Sequence, residues 1–265
     1  MINSKYSFLS KLGQGAHGSV LKARNLETNK IFAIKQITLV EDTNVQLRIF
    51  REIQSLRLFN HKNDLKPENI LIKANNQIKI ADFGLACIYF PNDPNRDYEH
   101  QVATRWYRAP ELLFGATKYT PKVDIWALGC IFAEFFNGIP LFMGGTDIEQ
   151  LSKVFHILGT PTEESWPGWE ILPDAGKVLF DITKPFEDWK KLIPLANNEF
   201  IQFIQLLLQL DHKRRPSAIQ CLQNNYLSNY QHFANIKYKP PLLENFLKKK
   251  IPEINYKIIK EENKI

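Results

Sequence analysis

The sequence predicts an α+β fold, and three segments carry that prediction. Residues 20–24 and 31–35 have strand-like patterns on either side of a polar turn, which is typical of a β-hairpin. Residues 45–59 place apolar side chains at helical spacing on one face. Residues 70–81 contain two more apolar runs about an Asn-Asn turn, which predicts a second hairpin.

Composition excludes several classes of protein. The chain has 265 residues, of which 44% are hydrophobic and 23% charged, a balance typical of a globular protein and not of a disordered chain or a coiled coil. No apolar run reaches the roughly 18 residues that cross a bilayer, and the first residues lack the continuous apolar stretch of a signal peptide. Three cysteines, far apart in the chain, argue against a disulfide framework and a zinc site. We therefore expect no membrane span and an intracellular location, in the cytoplasm or the nucleus.

The formal net charge of +6 is compatible with a polyanionic partner, but its location argues against one. Residues 237–265 carry eight lysines against four glutamates, so this segment alone supplies +4 of the +6. Prolines and a run of three lysines are typical of a solvated extension. We therefore predict a flexible basic tail over residues 236–265 and no specific nucleic-acid partner.

A glycine-rich segment precedes the first hairpin. Residues 12–20 read LGQGAHGSV, and such glycines let the backbone approach phosphate groups closely. Dinucleotide-binding folds and kinases both use glycine loops, but a dinucleotide-binding fold needs a helix directly after the loop, whereas residues 20–24 predict a strand. Lys35 ends the next strand, where it resembles the lysine that contacts the α- and β-phosphates of ATP in protein kinases.

Acidic and amide side chains flank the second predicted hairpin. Asp64, Lys66 and Asn69 precede it in a DLKPEN string, and Asp82 follows it in Asp-Phe-Gly. Hairpin closure would bring Asp64, Asn69 and Asp82 into one small volume. Phosphoryl transfer needs a carboxylate that accepts the proton of the attacking hydroxyl, for which Asp64 is the candidate. Asn69 and Asp82 are candidate oxygen ligands for Mg²⁺, and Lys66 would neutralise charge on the transferred phosphate.

These sequence motifs together resemble those of the protein kinase family. The resemblance is specific because the DLKPEN motif and the Asp-Phe-Gly motif both occur, with one predicted hairpin between them. Residues 109–111, Ala-Pro-Glu, resemble the end of a kinase activation segment. Residues 104–111, TRWYRAPE, resemble the cyclin-dependent kinase group. Within that group, residues 15–18, 100–105 and 172–174 resemble the branch of cell-cycle-related kinases.

The resemblance implies a protein-kinase-like fold of two lobes. The expected domains are a truncated small β-rich lobe over residues 1–63 and a mainly α-helical large lobe over residues 64–235, followed by the basic tail. Residues 124–129 resemble the family's buried central helix, whose aspartate supports the catalytic loop. Arg215 matches the arginine that pairs with the Ala-Pro-Glu glutamate, which is Glu111 in this chain.

The activity that the resemblance implies is serine/threonine protein kinase, with transfer of the γ-phosphate of ATP to protein substrates in the presence of Mg²⁺. The catalytic residues carried over are Asp64, Lys66 and Asn69, and the metal ligands are Asn69 and Asp82. The ATP-binding residues carried over are Leu12, Gly13, Gln14, Gly15, Ala16, His17, Gly18, Ser19, Val20, Ala33, Lys35 and Glu52, with Glu52 expected to hold Lys35 over the phosphates.

The group also implies partners. A proline-directed choice of serine or threonine follows from the resemblance alone. A cyclin-like activator is implied as well, although residues 46–53 do not spell the motif typical of cyclin binders. A ciliary role follows from the resemblance to the cell-cycle-related branch and from nothing else in the sequence.

One segment of the family pattern is missing. Only 12 positions separate Glu52 from Asp64, where kinases of this group place roughly seventy residues. The interruption falls between Asn63 and Asp64, and the missing piece would hold two strands, the hinge that grips adenine, two helices and the His-Arg before the catalytic aspartate. Its loss predicts unpaired apolar faces on the remaining strands and the central helix. Two alternatives to an active kinase stay open: a catalytically impaired pseudokinase or scaffold, and an incomplete gene product without the hinge region.

The activation segment departs from the group as well. Glu99 stands where the group has a phosphorylated threonine, and of the three arginines that bind the phosphate only Arg51 is kept, since Asn63 and Cys87 occupy the other two positions. A carboxylate carries −1 where a phosphate carries about −1.5 to −2. Two hypotheses explain Glu99 equally well. One is that the protein is activated without phosphorylation at this site, and the other is that the sequence has drifted in an inactive protein. We expect Cys87 to be a buried, inert thiol rather than a reactive one.

Overall fold

The computed structural model describes residues 5–15, 18–37, 65–72, 77–81, 86–87, 89–93, 95–100 and 103–228. The chain divides into two compact units, residues 1–54 and residues 55–265. The predicted helix over residues 45–59 and the predicted basic tail lie outside the described residues.

The first unit contains one three-stranded antiparallel sheet in the order β1-β2-β3. Its strands are β1 (Tyr6–Gly15), β2 (Gly18–Asn25) and β3 (Ile31–Ile37). The prediction of a hairpin over residues 20–35 is confirmed, and β1 is an additional strand that the sequence analysis did not predict.

The turn between β2 and β3 is closed by an asparagine. Asn25 Oδ1 accepts hydrogen bonds from the backbone N–H of Glu27 at 3.0 Å and of Thr28 at 2.8 Å. Asn29 adopts a left-handed backbone with φ of 56°, a conformation that asparagine tolerates better than most residues. The polar residues of this turn therefore fix the hairpin locally.

The second unit opens with a short hairpin. A 3-10 turn over Pro67–Asn69 leads into β4 (Ile70–Ile72), which pairs antiparallel with β5 (Ile78–Ile80). The second predicted hairpin is thus confirmed. Its Asn75-Asn76 turn lies outside the described residues.

The rest of the second unit is helical. The helices of its described part are α1 (Pro110–Leu113), α2 (Lys122–Asn137), α3 (Asp147–Leu158), α4 (Trp189–Leu192), α5 (Asn198–Leu207), α6 (Ala218–Leu222) and α7 (Asn225–Ser228). Further 3-10 turns span Arg105–Tyr107, Trp169–Ile171 and Ala175–Lys177. None of the described helices has the length and apolar character needed to cross a membrane.

The core of the second unit forms around α2. Most of this helix is apolar, and its buried side chains include Trp126 and Ile131, both fully enclosed. Gly129 lets the end of α5 approach, because a Cβ at this position would lie 3.0 Å from Cβ of Leu207, the last residue of α5, and 2.8 Å from Cδ2 of Leu208 directly after it. The predicted buried central helix is therefore confirmed. The expectation that this helix would lose its packing partners is wrong for most of its length, because it packs against α5 and only Phe135 near its end is strongly exposed.

Apolar side chains on the strands are exposed, as the missing segment predicts. In the β4–β5 hairpin, Ile72 is 71% exposed and Ile78 is 62% exposed. In the first unit, Leu12 and Phe32 are also exposed. The strands therefore present apolar surface that nothing in the described part of the chain covers.

Capping residues fix the ends of the longer helices. The Thr146 side chain accepts a hydrogen bond from the Glu149 N–H at the start of α3, and Asn197 accepts one from Phe200 at the start of α5. Gly138 ends α2 in a left-handed conformation with φ of 73°. The starts of α3 and α5 and the end of α2 are therefore set by local sequence.

Candidate active site

Backbone hydrogen bonds connect the loop that follows Asp64 to the β4–β5 hairpin. The Asn69 N–H donates to Lys66 O at 3.0 Å within the 3-10 turn, and the Asn69 carbonyl accepts from the Ala81 N–H at 2.7 Å across the hairpin. The Asn69 side chain is buried. Ala81 immediately precedes Asp82, so hairpin closure brings the backbone of Asn69 next to the residue that leads into the Asp-Phe-Gly string.

A lysine joins this loop to the end of the activation segment. Lys66 Nζ donates to Thr104 Oγ1 at 3.2 Å, although the two residues are 38 positions apart. Both residues are partly buried. The ammonium group is thus held beside a hydroxyl at the end of the segment, where it can offset developing negative charge.

The residues after Thr104 form a tight, well-supported turn. Ala103 has a left-handed backbone with φ of 66°, which is unusual for a residue with a Cβ atom. Arg108 Nη2 donates to the Ala103 carbonyl at 3.0 Å. Tyr107 donates through its hydroxyl to Glu134 at 2.8 Å, and burial together with this carboxylate raises the pKa of Tyr107 well above its usual value. The side chain of Tyr107 therefore stays protonated and anchors the turn to α2.

A buried ion pair fixes the Ala-Pro-Glu end of the segment. Arg215 and Glu111 form two parallel hydrogen bonds of 2.7 Å, and their side chains are 0% and 4% exposed. Arg215 also donates to backbone carbonyls, among them Gln209 O at 2.8 Å, and its guanidinium lies 5.0 Å from the centre of the Trp126 ring. The predicted pairing of Arg215 with Glu111 is confirmed.

The candidate ATP-binding residues lie on the sheet of the first unit. The end of β1 contains Leu12, Gly13, Gln14 and Gly15, and the start of β2 contains Gly18, Ser19 and Val20. The third strand, β3, contains Ala33 and Lys35. Lys35 pairs in register with Val20, which brings the candidate lysine next to the strand that leaves the glycine loop. Ala16, His17 and Glu52 lie outside the described residues, so the Lys35–Glu52 pair stays a prediction.

Two predicted carboxylates also lie outside the described residues. They are Asp64, the candidate catalytic base, and Asp82, a candidate metal ligand, so both roles stay predictions. The same holds for Arg51, the residue expected to face Glu99. In the described part, Tyr119 donates through its hydroxyl to the Glu99 carbonyl at 2.6 Å. The expectation that Cys87 is buried is wrong, because this thiol is exposed.

Two residues of the site were missed by the sequence analysis. Ala103 was quoted only as part of a family string, and no sequence signal indicates an alanine with a left-handed backbone. Asp147 has no predicted role in the sequence analysis, but its side chain accepts hydrogen bonds from Arg105 and Arg108. An aspartate at the first position of a helix is typical of helix starts, so its sequence context does not reveal its tertiary contacts.

Comparison with known families matches this arrangement. Residues 6–63 and 62–227 match the family described as the protein kinase domain. The two matched segments overlap at residues 62–63, next to the junction of Asn63 and Asp64 where the sequence predicts the interruption. The chain belongs to the protein kinase family.

Within this family, its curated relatives include cyclin-dependent kinases. It is 36% identical to cyclin-dependent kinase 20 of Danio rerio over 287 aligned residues, which cover 84% of this chain and 83% of the relative. It is 37% identical to cyclin-dependent kinase 20 of Homo sapiens, with 84% and 82% covered. It is 40% identical to cyclin-dependent kinase 7 of Xenopus laevis over 77% of this chain and 58% of that relative. The predicted likeness to the cell-cycle-related kinase, another name for cyclin-dependent kinase 20, is consistent with these matches.

The alignment to the Danio rerio relative also bears on the missing segment. It spans 287 positions, whereas 84% of this 265-residue chain is about 223 residues, so about 64 positions stand opposite gaps in this chain. This total is similar to the roughly seventy residues that the group places between the helix glutamate and the catalytic aspartate.

A solved structure confirms the protein-kinase-like fold. A chain in the structure of the CAK complex from Chaetomium thermophilum bound to ATP-gamma-S aligns with a TM-score of 0.76 at 28% identity. The alignment covers 84% of this chain and 91% of that chain.

Proposed function

We propose that this chain is a serine/threonine protein kinase that transfers the γ-phosphate of ATP to hydroxyl groups of protein substrates. The observation that carries the proposal is the hydrogen bond from Lys66 to Thr104. It places a cation between the loop after Asp64 and the end of the activation segment, where negative charge builds on the transferred phosphate. The likeness to a solved chain whose complex is bound to ATP-gamma-S supports ATP as the donor.

Each candidate residue has a defined role in the transfer. The substrate hydroxyl oxygen attacks the γ-phosphorus, the bond to the bridging oxygen of ADP breaks, and Asp64 accepts the hydroxyl proton. Asn69 and Asp82 would hold Mg²⁺, because an amide oxygen and a carboxylate are the ligands that hard cations prefer. The bound ion supplies charge neutralisation at the phosphate oxygens. The burial of Asn69 and its backbone hydrogen bond to the hairpin support this role, since they fix where its backbone lies.

The backbone at Ala103 supports a preference for proline after the substrate serine or threonine. Its carbonyl already accepts a hydrogen bond from Arg108, so it is turned away from a substrate segment that lies along Thr104. Any residue other than proline directly after the substrate serine or threonine would present a backbone N–H with no acceptor at this point. A buried N–H group without an acceptor weakens binding by about 1–3 kcal/mol. Proline has no N–H and avoids this cost.

The names of the relatives support a cyclin-like activator, and we include such a partner in the proposal. We place the action of the protein in the cytoplasm or the nucleus, with a ciliary role as a further proposal from the likeness to cyclin-dependent kinase 20. No observation on the described residues favours the scaffold alternative over the kinase.

The test is phosphate transfer by the purified full chain, with ATP, Mg²⁺ and a Ser-Pro peptide, alone and with candidate cyclins. We expect Asp64→Asn to lower the rate at least 100-fold because it removes the proton acceptor. Lys66→Met should lower it about 100- to 1000-fold, in the range for one lost charge-stabilising donor. Lys79→Met, on the exposed face of β5, is the matched control and should transfer phosphate at the wild-type rate.

Two results would contradict the proposal. One is a wild-type rate in Asp64→Asn, which would place the phosphate transfer elsewhere or in a contaminant. The other is a folded wild-type chain that transfers no phosphate with any activator, which would favour the scaffold.

A further inference from the structure

One apolar stripe of α2 is covered at its start and exposed at its end. Four of its residues share one face of the helix because they follow one another at spacings of three and four positions: Ile125, Leu128, Phe132 and Phe135. Ile125 is buried, and the next two are partly buried. Phe135 is 61% exposed, and Ile139, two positions after the last residue of the helix, is 54% exposed. We call these five residues the α2 stripe.

The described chain ends beside this stripe. Tyr226, two residues before that end, stacks its ring on Phe203 with 5.6 Å between the ring centres. The ring of Phe203 lies 6.2 Å from that of Phe132 in the stripe, and the ring of Phe132 lies 6.4 Å from that of the exposed Phe135. A continuous layer of aromatic rings therefore connects the point where residues 229–265 begin with the exposed end of the stripe.

The sequence that follows contains a segment suited to this surface. Residues 241–250, PLLENFLKKK, have the pattern of a short amphipathic helix. Proline is favoured at the first helical position, and the helix dipole favours Glu244 in the first turn and the lysines of residues 248–250 in the last. The large apolar residues are spaced so that they share one helical face, and they are Leu242, Leu243, Phe246 and Leu247.

The connecting residues are long enough for this segment to reach the stripe. The twelve residues 229–240 extend up to about 40 Å. At 1.5 Å per residue, α2 rises only about 15 Å from Ile125 to Phe135, and a helix of ten residues is also about 15 Å long. The segment and the stripe are therefore of matching length, and the connection does not prevent their contact.

We propose that residues 242–247 fold back within the same chain and cover the α2 stripe at Phe135 and Ile139. This contact removes apolar side chains of both segments from water, which stabilises it. It extends the packing that α7 already makes near the start of the stripe. For these residues it replaces the sequence prediction of a flexible tail. The proposal does not rest on the kinase function, because it concerns how the second unit packs.

The first measurement is hydrogen exchange of residues 242–250 in the full chain. In the wild type we expect these amides to exchange at least about ten-fold more slowly than in an unstructured chain. In the double variant Phe135→Ser, Ile139→Ser they should exchange at the unstructured rate. The matched control is Leu179→Ser, Ile182→Ser, which removes two apolar side chains that are 99% and 95% exposed outside the stripe. This control should keep the slow exchange of the wild type.

The same data verify that each variant is folded. The Leu208 N–H donates to Ile204 O at 2.9 Å next to the buried core, so its slow exchange reports an intact second unit. If the stripe variant loses this protection, the second measurement decides, because it leaves the stripe unchanged.

The second measurement is hydroxyl-radical footprinting of the Phe135 side chain, which reports its access to solvent. We expect the modification rate of Phe135 to rise several-fold in Leu243→Ser, Leu247→Ser, because these substitutions remove the apolar contact from the tail. The matched control is Ile258→Ser, Ile259→Ser, which removes two apolar side chains of the same tail outside the docking segment. It should leave the modification rate at the wild-type value.

Four results would overturn the proposal. They are unstructured exchange of residues 242–250 in the wild type, slow exchange that persists in the folded stripe variant, a Phe135 modification rate that Leu243→Ser, Leu247→Ser leaves unchanged, and an equal rise of that rate in the tail control. Slow exchange that appears only at high protein concentration, with a doubled mass in light scattering, would assign the stripe to a second copy and also overturn the intramolecular contact. Neither measurement uses phosphate transfer, so a chain without activity would contradict the kinase proposal and leave this one standing.

Discussion

Removal of Glu111 should destabilise the second unit strongly. Glu111→Gln keeps the shape of the side chain but leaves the Arg215 guanidinium buried without its counter-charge. Both side chains are almost fully buried, and two hydrogen bonds of 2.7 Å join them, so water cannot replace the lost carboxylate. Breaking a buried pair of this kind costs about 3–5 kcal/mol. For a unit of roughly 200 residues each kcal/mol lowers Tm by about 2–4 °C, so we expect a loss of about 6–20 °C.

The assay is urea unfolding and thermal melting of the full chain, compared with two further variants. Asp188→Asn removes one partner of an exposed pair, with 3.4 Å between Lys191 Nζ and Asp188 Oδ2, and should cost less than about 1 kcal/mol. Glu111→Leu combined with Arg215→Met removes both charges and should cost less than the sum of the two single variants. A loss below about 1 kcal/mol in Glu111→Gln would refute the reasoning, because it would mean that the Arg215 charge is solvated in the folded chain.

Two further perturbations test other parts of the second unit. Burial lowers the pKa of His212, so the folded state holds its imidazole neutral, while the unfolded chain binds a proton below about pH 6.5. The free energy of unfolding should therefore fall as the pH drops from about 6.5 towards the pKa of the folded state, by at most about 1.4 kcal/mol per pH unit. In His212→Gln, the urea midpoint should change less between about pH 7 and 5.5 than it does in the wild type. An equal change of the urea midpoint with pH in both proteins would contradict this prediction. Gly144→Ala would place a Cβ in collision with the backbone nitrogen of Gln150 in α3, so it should cost about 1–3 kcal/mol in the same unfolding assay. Gly176→Ala, with open space around the new Cβ, is its control, and equal stability of the two variants would refute the predicted clash.

Local pattern was sufficient where neighbouring residues decide the structure. The hairpin around Asn25 and the hairpin of β4 and β5 were predictable because their turns and alternating strands lie within a few residues of one another. The candidate lysine of β3 and Asn69 were also predictable, since each is part of a string whose chemistry requires that residue type. The strand β1 was missed because its residues mix polar and apolar side chains without regular alternation.

Contacts between distant residues were less accessible from the sequence. The pairing of Glu111 with Arg215, 104 positions apart, was predicted only by resemblance to a family. The expectation that the central helix would lose packing partners was wrong, because α5 packs against it near Gly129 and this contact cannot be read from the sequence of α2 alone.

The sequence by itself determined the family, the hairpins, the candidate phosphate-transfer residues and the place of the missing segment, because each depends on residue types at short spacing. Only the tertiary structure decided that Lys66 donates to Thr104 and that Arg108 donates to the Ala103 carbonyl. It also decided that Asp147 provides the charge between two arginines. These contacts form when segments that are distant in sequence pack around the buried α2. The direction of a side chain in such a contact depends on the residues packed against it and not on the local sequence.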